Sequence, residues 1–305
     1  MNSVLKITNV SKKYKNNLVL DKVSMTINKG DIYGFVGENG SGKTTIIRLI
    51  VGLIYPLEGD IEIFNINTKS KEVFSVKNKI GAIVEAPSIY KNMSARDNLI
   101  TYSKIINLNN ENKIKETLEI VGLGELYNNP KKAGNFSLGM RQRLGIAIAL
   151  LGDPEFIILD EPMNGLDPAG IVEIRELILK LNKEKQITFL ISSHILNELS
   201  LIANKYGIIS KGKLVKEITN EELKNECKKH IIMSSTDNDK LFNLLSSSYG
   251  IENVNYNGTN IKLFGDHNLN DLFKLLIDNN IEVNNIKTAD ISIEDYYLSL
   301  IGNRR

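Results

Sequence analysis

A glycine-rich loop, spelled GENGSGKTT at residues 37–45, constrains the fold of this chain more than any other stretch. It follows an apolar run, DIYGFVG, and precedes residues that favour a helix from Thr44 to about Val51. A strand, a G-x-x-x-x-G-K-[ST] loop and a helix in this order predict a P-loop NTPase, an α/β fold that binds nucleotide phosphates. The residues expected to contact the nucleotide are Gly37, Glu38, Asn39, Gly40, Ser41, Gly42, Lys43, Thr44 and Thr45.

The loop residues have distinct tasks. Backbone N–H groups freed by the glycines surround a phosphate, and Lys43 reaches the oxygens of the two outer phosphates. The hydroxyl of Thr44 can hold Mg²⁺. This motif occurs in GTPases, kinases and ATPases alike, so other residues must decide between them.

Two later motifs carry further chemistry. The apolar run EFIILDEP is typical of a buried parallel strand, and it ends in Asp160 and Glu161. Asp160 is placed to support Mg²⁺, and Glu161 is a candidate base for an attacking water molecule. In NFSLGMRQR, Ser137 can cap a helix whose first N–H groups form a second anion site.

Composition and apolar patterning limit the cellular compartment and the partners that we expect for this chain. The longest apolar run, LGIAIALL, is far shorter than the roughly 20 residues of a membrane helix. The first residues lack the apolar segment of a signal peptide, and the lone Cys227 can form no internal disulfide. The net charge is only +2, from 38 basic and 36 acidic residues. We therefore expect a cytoplasmic protein that binds no nucleic acid.

The motifs FSLGMRQR, IILDEP, NGLD and ISSH follow the phosphate loop in that order. Over residues 3 to about 218, the chain thereby resembles the ATP-binding subunits of ABC transporters. The resemblance implies an ABC cassette over 1–220, with an antiparallel β arm and a helical subdomain at about 87–152. The cofactors that it implies are ATP and Mg²⁺.

The pattern changes after the cassette. The order of strand and helix patterns over 228–305 is βαββαβ with a terminal helix, which predicts a small ferredoxin-like α+β accessory domain.

The resemblance also assigns roles to residues outside the phosphate loop. His194 would be the switch residue that contacts the γ-phosphate, and Tyr14 would stack on adenine. Two cassettes would face each other, with Ser137 and Gly139 of one chain closing over the ATP held by the other. A homodimer, a separate membrane permease and a position on the inner face of the cell membrane follow from the same resemblance.

The sequence departs from the usual family pattern in two places, and these departures narrow the resemblance to one subgroup of the family. Glu85 stands where most members carry glutamine, and it keeps an oxygen for Mg²⁺ but loses the amide donor. Leu138 and Met140 stand in a signature that usually reads Ser-Gly-Gly-Gln. With these substitutions and the segment EAPSIYKNMSARDNL, the chain resembles the exporters linked to bacitracin and lantibiotic resistance. We therefore expect a subunit that energises export of an antimicrobial peptide or drug.

Two alternatives remain open at this point. One is a soluble single-cassette ABC ATPase in translation or DNA repair, although such proteins usually carry two cassettes or a long coiled-coil insertion. The other is an importer subunit, which the cassette alone barely excludes. A non-enzymatic sensor would leave Glu161 unexplained.

Overall fold

A computed structural model describes residues 3–108, 110–227, 229–290 and 293–302 of the chain. The chain divides into two compact units, residues 1–220 and 221–305. Within the described ranges, no helix combines the length and the apolar character that crossing a membrane requires.

The first unit alternates strands and helices. Its strands are β1 (Ser3–Tyr14), β2 (Asn17–Asn28), β3 (Ile32–Val36), β4 (Glu58–Ile63), β5 (Ile66–Asn67), β6 (Ile80–Ile83), β7 (Phe156–Asp160), β8 (Thr188–Ser193), β9 (Lys205–Ser210) and β10 (Lys213–Thr219). Its helices are α1 (Lys43–Ile50), α2 (Phe74–Lys77), α3 (Ala95–Ile105), α4 (Glu111–Ile120), α5 (Leu138–Leu150), α6 (Pro168–Lys185) and α7 (Leu196–Ser200).

Two sheets organise this unit. An antiparallel sheet has the strand order β2-β1-β4-β5, and a six-stranded sheet has the order β10-β9-β3-β8-β7-β6. The neighbours from β9 to β6 are parallel, and only β10 runs antiparallel to β9. The carboxyl ends of β3, β7 and β8 therefore meet at one edge of the sheet, which is where α/β proteins bind ligands.

One apolar core joins the two sheets through α1. It contains Leu20 of β2, Phe35 of β3, Ile47 of α1 and Phe156 of β7, each fully buried. Because α1 is held on both sides, the loop that precedes it has a fixed position between β3 and the antiparallel sheet.

Side chains cap the start of two helices in this unit. Ser94 caps α3 by accepting the N–H of Asp97 at 3.1 Å, and its hydroxyl donates to the Asp97 carboxylate at 2.7 Å. Asp167 caps α6, with Pro168 in the first turn. The helices α2 and α7 have only four and five residues, which is too short for a periodic sequence pattern to predict them.

The boundary between the units falls after the first residue of α8 (Asn220–Glu226). The second unit continues with β11 (Lys229–Ser235), α9 (Asn238–Tyr249), β12 (Val254–Tyr256), β13 (Ile261–Phe264), α10 (Leu269–Asp278), β14 (Val283–Asp290) and α11 (Ile293–Gly302). Its antiparallel sheet has the order β12-β13-β11-β14. From β11 to β14 this is the βαββαβ connectivity of a ferredoxin-like fold. A separate core, including Met233, Leu241, Leu263 and Leu272, lies under α9 and α10.

Because each unit has its own apolar core, we expect a chain ending at residue 220 to fold without the second unit. Circular dichroism during heating should show a single cooperative transition in the truncated protein. A truncated protein that is monomeric in solution but melts without cooperativity would contradict this expectation.

Candidate functional site

The phosphate loop connects β3 to α1 in a conformation that requires glycine. Gly42 has a φ of 112°, and a Cβ atom there would lie 2.7 Å from Leu20. A Cβ atom on Gly37 would lie 2.5 Å from both the Ile209 carbonyl oxygen and Ser41 Oγ. No side chain caps the start of α1. Its first N–H groups and the positive end of its dipole are therefore available to an anion.

Two side chains of the loop, Lys43 and Ser41, are buried hydrogen-bond donors. The ammonium of Lys43, which is only 5% exposed, donates to the carbonyl oxygens of Gly37 at 2.7 Å and Glu38 at 3.2 Å. Ser41 Oγ is buried and has no hydrogen-bond partner among the described residues. A buried hydroxyl without a partner is costly in a folded protein, so it marks a position where a ligand supplies the missing bond. This donor set fits a polyphosphate.

A hydrogen-bond network links the acidic end of β7 to α1 and β8. Thr44 Oγ1 donates to one oxygen of the buried Asp160 carboxylate at 2.9 Å, and Ser192 Oγ donates to the other at 2.5 Å. Ser192 Oγ in turn accepts the N–H of Glu161 at 2.9 Å. The oxygens of Thr44 and Asp160 are thus adjacent, as the ligands of a single Mg²⁺ ion need to be.

Glu161 lies between two cationic or potentially cationic side chains. Its Oε1 is 3.3 Å from Lys43 Nζ, and its Oε2 is 2.8 Å from His194 Nδ1. The second of these contacts is a hydrogen bond in which the tautomer of His194 sets which group donates. The backbone of Glu161 is left-handed, with φ 49°, which costs a non-glycine residue of the order of 1–3 kcal/mol. Such strain, enforced by the bond to Ser192, is typical of active sites.

A cavity of about 360 Å³ joins most of these groups. It is lined by Tyr14, Val19, Asn39, Gly40, Gly42, Lys43, Thr44, Thr45 and Glu161. The Tyr14 ring is partly exposed at 41%, and Lys12 Nζ lies 5.4 Å from its centroid. The structure therefore brings the phosphate loop, the candidate base and the aromatic side chain together.

Ser137 and Gly139 belong to a different surface. Ser137 caps α5 by accepting the N–H of Met140 at 3.2 Å, and it is exposed. Neither it nor Gly139 is among the described residues that line the cavity. The start of α5 packs instead on the NGLD segment, where Leu138 would be 3.3 Å from a Cβ atom on Gly165.

Glu85 pairs with Arg48 of α1 rather than with Thr44 or Asp160. The guanidinium of Arg48 contacts the Glu85 carboxylate directly, and both side chains are partly exposed. Glu85 also has a left-handed backbone, with φ 64°. The residue predicted as a metal ligand thus links the phosphate-loop helix to the segment that enters the helical subdomain. Sequence reasoning did not identify Arg48, since nothing local to it indicates a partner after β6.

One short run, at residues 28–31, matches a motif for binding guanine nucleotides. Residues 28–31 read NKGD, which has the Asn-Lys-x-Asp spelling by which GTPases recognise guanine. Here it forms the turn between β2 and β3, in which the N–H of Asn28 donates to Asp31 at 2.8 Å. This turn precedes β3, whereas the phosphate loop follows it. At about 3.3 Å per residue, the five-residue strand separates the two by about 16 Å, so NKGD does not contribute to the cavity.

A family profile and individual relatives both match this chain to ABC transporter proteins. The sequence profile of the ABC transporter family matches residues 20–164. The bacitracin transport ATP-binding protein BcrA of Bacillus licheniformis is 44% identical over 305 residues, covering 99% of this chain and 98% of BcrA. The lantibiotic transport ATP-binding protein SrtF of Streptococcus pyogenes is 44% identical over 214 residues, covering 70% of this chain and 90% of SrtF.

A solved structure matches the same part of the chain. The dimeric ATP-binding cassette MJ0796, in a post-hydrolysis state bound to ADP and Pi, has a TM-score of 0.63 and 27% identity. The match covers 71% of this chain and 98% of MJ0796.

Ser192 is the functional residue that sequence reasoning missed, although it lies in the ISSH motif. We expect Ser192→Ala to lower the free energy of unfolding by about 1–3 kcal/mol, because it leaves a buried carboxylate oxygen without its donor. Ser193→Ala is the matched control, since its hydroxyl bonds only to the backbone of Ile195. Urea unfolding of both variants tests this, and equal losses would contradict the special role of Ser192.

Proposed function

The chain belongs to the ABC transporter family, and on this basis we propose that it is the subunit that energises a separate membrane permease for export. Its enzymatic class is that of the family, ATP hydrolysis, and its nucleotide is ATP. The proposed cargo is an antimicrobial peptide or drug of the bacitracin or lantibiotic type. Similarity to BcrA along the full chain supports this cargo class. The observation that carries the enzymatic part is the position of Glu161 between Lys43 and His194.

In the proposed complex, residues of one chain hold most of the nucleotide. Tyr14 stacks on adenine, and the N–H groups from Gly40 to Thr45 surround the phosphates. Lys43 binds the β- and γ-phosphate oxygens. Thr44 and Asp160 would hold Mg²⁺, which would supply positive charge to neutralise the charge that develops on the phosphates.

In this proposal, ATP binding breaks the contact between Lys43 and Glu161, and each side chain takes a new partner. The ammonium of Lys43 now lies 3.3 Å from the Glu161 carboxylate. A phosphate with more negative charge competes for that ammonium, which frees one oxygen of Glu161 to bind water. Glu161 then accepts a proton from the water as its oxygen attacks the γ-phosphorus. The bond to the β-γ bridging oxygen breaks, and ADP and phosphate are released.

His194 completes this arrangement. Its Nδ1 donates to Glu161, which orients the carboxylate, while the other ring nitrogen remains for the γ-phosphate. We assign it the switch role because its contact with Glu161 links the state of the phosphate to the position of the base.

The second anion site belongs, in this proposal, to a second copy of the chain. Ser137 and Gly139 are accessible at the start of α5 and lie outside the cavity of their own chain. In a twofold dimer they would close over the ATP held by the partner. ATP then stabilises the closed dimer, and hydrolysis opens it, which moves the attached permease. The proposed location is accordingly the inner face of the cell membrane.

Glu85 is a candidate for transmitting that movement. It begins the segment that leads towards α3, and Arg48 ties it to the second turn of α1. Exposed ion pairs contribute little to the free energy of unfolding. We therefore infer that the pair of Arg48 and Glu85 orients α1 relative to the segment after β6 and adds little to stability. A role as a Mg²⁺ ligand would require Glu85 to leave Arg48.

We expect Glu161→Gln to bind ATP with near wild-type affinity but to hydrolyse it about 10²–10⁴-fold more slowly. The amide keeps the shape of the side chain but cannot accept the proton of the attacking water. Equilibrium binding of labelled ATP and phosphate release measure the two effects separately. Glu176→Gln, an exposed carboxylate on α6, is the control and should hydrolyse ATP normally. Turnover by Glu161→Gln close to that of the control would remove Glu161 from the role of base.

A further inference from the structure

The sheet of the second unit has one long open edge, at β14. This strand pairs with β11 along most of its length, and no strand among the described residues pairs with its other side. The opposite edge of the sheet, β12, has only three residues. Because a longer edge offers more unpaired backbone N–H and C=O groups, β14 is the edge better able to accept another strand.

Both faces of β14 are exposed along its middle part. Asn284 and Asn285 are exposed, as are Lys287 and Thr288. Consecutive residues of a strand point to opposite faces of the sheet, so the described residues cover neither face of this part of β14. The edge is therefore accessible.

The helix α10 has an exposed apolar stripe, which consists of Leu269, Phe273 and Ile277. These side chains are 37%, 41% and 73% exposed, and their spacing of four residues places them on one face of the helix. Leu272 and Leu276 are buried and face the core instead. A helix that exposes a row of apolar side chains beside its buried face has a second surface suited to an interaction.

The stripe lies on the side of α10 that is turned away from α9. Lys240 of α9 donates to the carbonyl oxygen of Asn279 at 3.1 Å. Burial and the charge of Asp271 raise the pKa of Tyr249, the last residue of α9, so these two side chains are close. At 3.6 residues per turn, Asp271 and Asn279 lie on the side of α10 opposite Phe273. Since α9 packs over β12, β13 and β11, the stripe borders the β14 edge.

Two side chains of β14 lie on the same side of the sheet as the stripe. Ile286 and Thr288 are in register with Met233 and Ile231, whose side chains belong to the core under the helices. Directly opposed residues point to the same face, so Ile286 and Thr288 also point to the helix side. The stripe and the open edge thus form one surface. We name it the α10–β14 surface, and it comprises Leu269, Phe273, Ile277 and residues 284–288.

The exposed charges around this surface balance each other. Lys274 and Lys287 are positive, and Asp278 and Glu282 are negative. The surface therefore favours neither a strongly acidic nor a strongly basic partner, and net charge does not oppose contact with a copy of itself. An open antiparallel edge is also self-complementary, because its N–H and C=O groups can pair with those of a second copy about a twofold axis.

From these features we propose that the α10–β14 surface binds the same surface of a second copy of the chain. The two β14 strands pair antiparallel, which joins the two sheets into one, and the two apolar stripes meet on the helix side. The contact holds the two chains together while hydrolysis opens the ATP sites.

The size of this surface explains why the contact depends on the cassettes. It has fewer residues than the roughly 20–30 per side of a stable interface, so it is weak between separate chains. In a dimer of cassettes, the two second units share one complex at an effective concentration in the millimolar range, which favours the contact. This gain rests on the proposed function, whereas the pairing of the two surfaces does not.

Cysteine cross-linking of the full chain tests the pairing. In a twofold pair of β14 strands, one residue lies opposite its own copy, with Cα atoms about 4.5–5.5 Å apart, which suits a disulfide. Its sequence neighbours lie about 8 Å from their copies, which is too far. Single cysteines at positions 284–288 are placed in chains that carry Cys227→Ser and Glu161→Gln and bind ATP. One position should cross-link at least about fivefold more than the adjacent ones. Asn243→Cys, on the exposed face of α9, is the control and should give background only.

A pair of matched substitutions tests the stripe. Ile277→Lys places a charge in the stripe, whereas Ile251→Lys places the same charge outside it, at a residue of similar exposure, 66%, that precedes β12. In ATP-bound chains that carry Glu161→Gln, Ile277→Lys should weaken dimerisation at least about fivefold, and Ile251→Lys should not. Analytical ultracentrifugation measures the dissociation constants. Retained ATP binding shows that both variants fold.

The outcomes separate this proposal from the proposed function. If cassette dimers form but cross-linking has no maximum within 284–288 and the two lysine variants dimerise alike, the contact between α10–β14 surfaces is wrong. β14 is then only an edge guarded by Lys287. If ATP produces no dimer in any chain, the proposed cassette dimer is wrong. A single cross-linking maximum in that case would still support the pairing of β14 strands.

Discussion

The contact of Asp160 with Thr44 and Ser192 is the interaction on which the rest of the site depends. It joins the carboxyl ends of β7 and β8 to the start of α1 through hydrogen bonds of 2.9 and 2.5 Å. The parallel order β3-β8-β7 brings these ends together, and the core around α1 keeps the phosphate loop beside them. A shift of either strand would separate Asp160 from Thr44, and with it the two proposed Mg²⁺ ligands.

The same network places the candidate base. Ser192 accepts the N–H of Glu161, which holds this residue in a left-handed conformation at the end of β7. The carboxylate then reaches both Lys43 and His194. Because Glu161 connects the phosphate loop with His194, the proposed switch residue, a change at bound phosphates would alter the surroundings of the proposed base directly. Strain in the backbone of Glu161 and competition for Lys43 are thus both parts of the proposed mechanism.

Patterns among neighbouring residues predicted much of this site, whereas the contacts between residues distant in sequence were not predicted. The phosphate loop, the strand ending at Asp160 and the cap at Ser137 depend on local patterns, and they appear as predicted. The pairing of Glu85 with Arg48 depends on how β6 and α1 pack, so no spacing rule contains it. Ser192 was overlooked for the same reason, since its partners lie on β7. The open edge of β14 follows from strand order, which local periodicity does not encode.

The central claim is that one ATP is held between the phosphate loop of one chain and Ser137 of another. Mixed dimers test it most directly, with Ser137→Arg in one copy, Lys43→Ala in the other and Glu161→Gln in both to prevent turnover. Each homodimer then has two damaged sites, whereas the mixed dimer has one site with an intact phosphate loop and an intact Ser137. Trapping of labelled ATP should therefore reappear in the mixed dimer. If mixed dimers form and trap no more ATP than either homodimer, Ser137 acts within its own chain and the shared site is wrong.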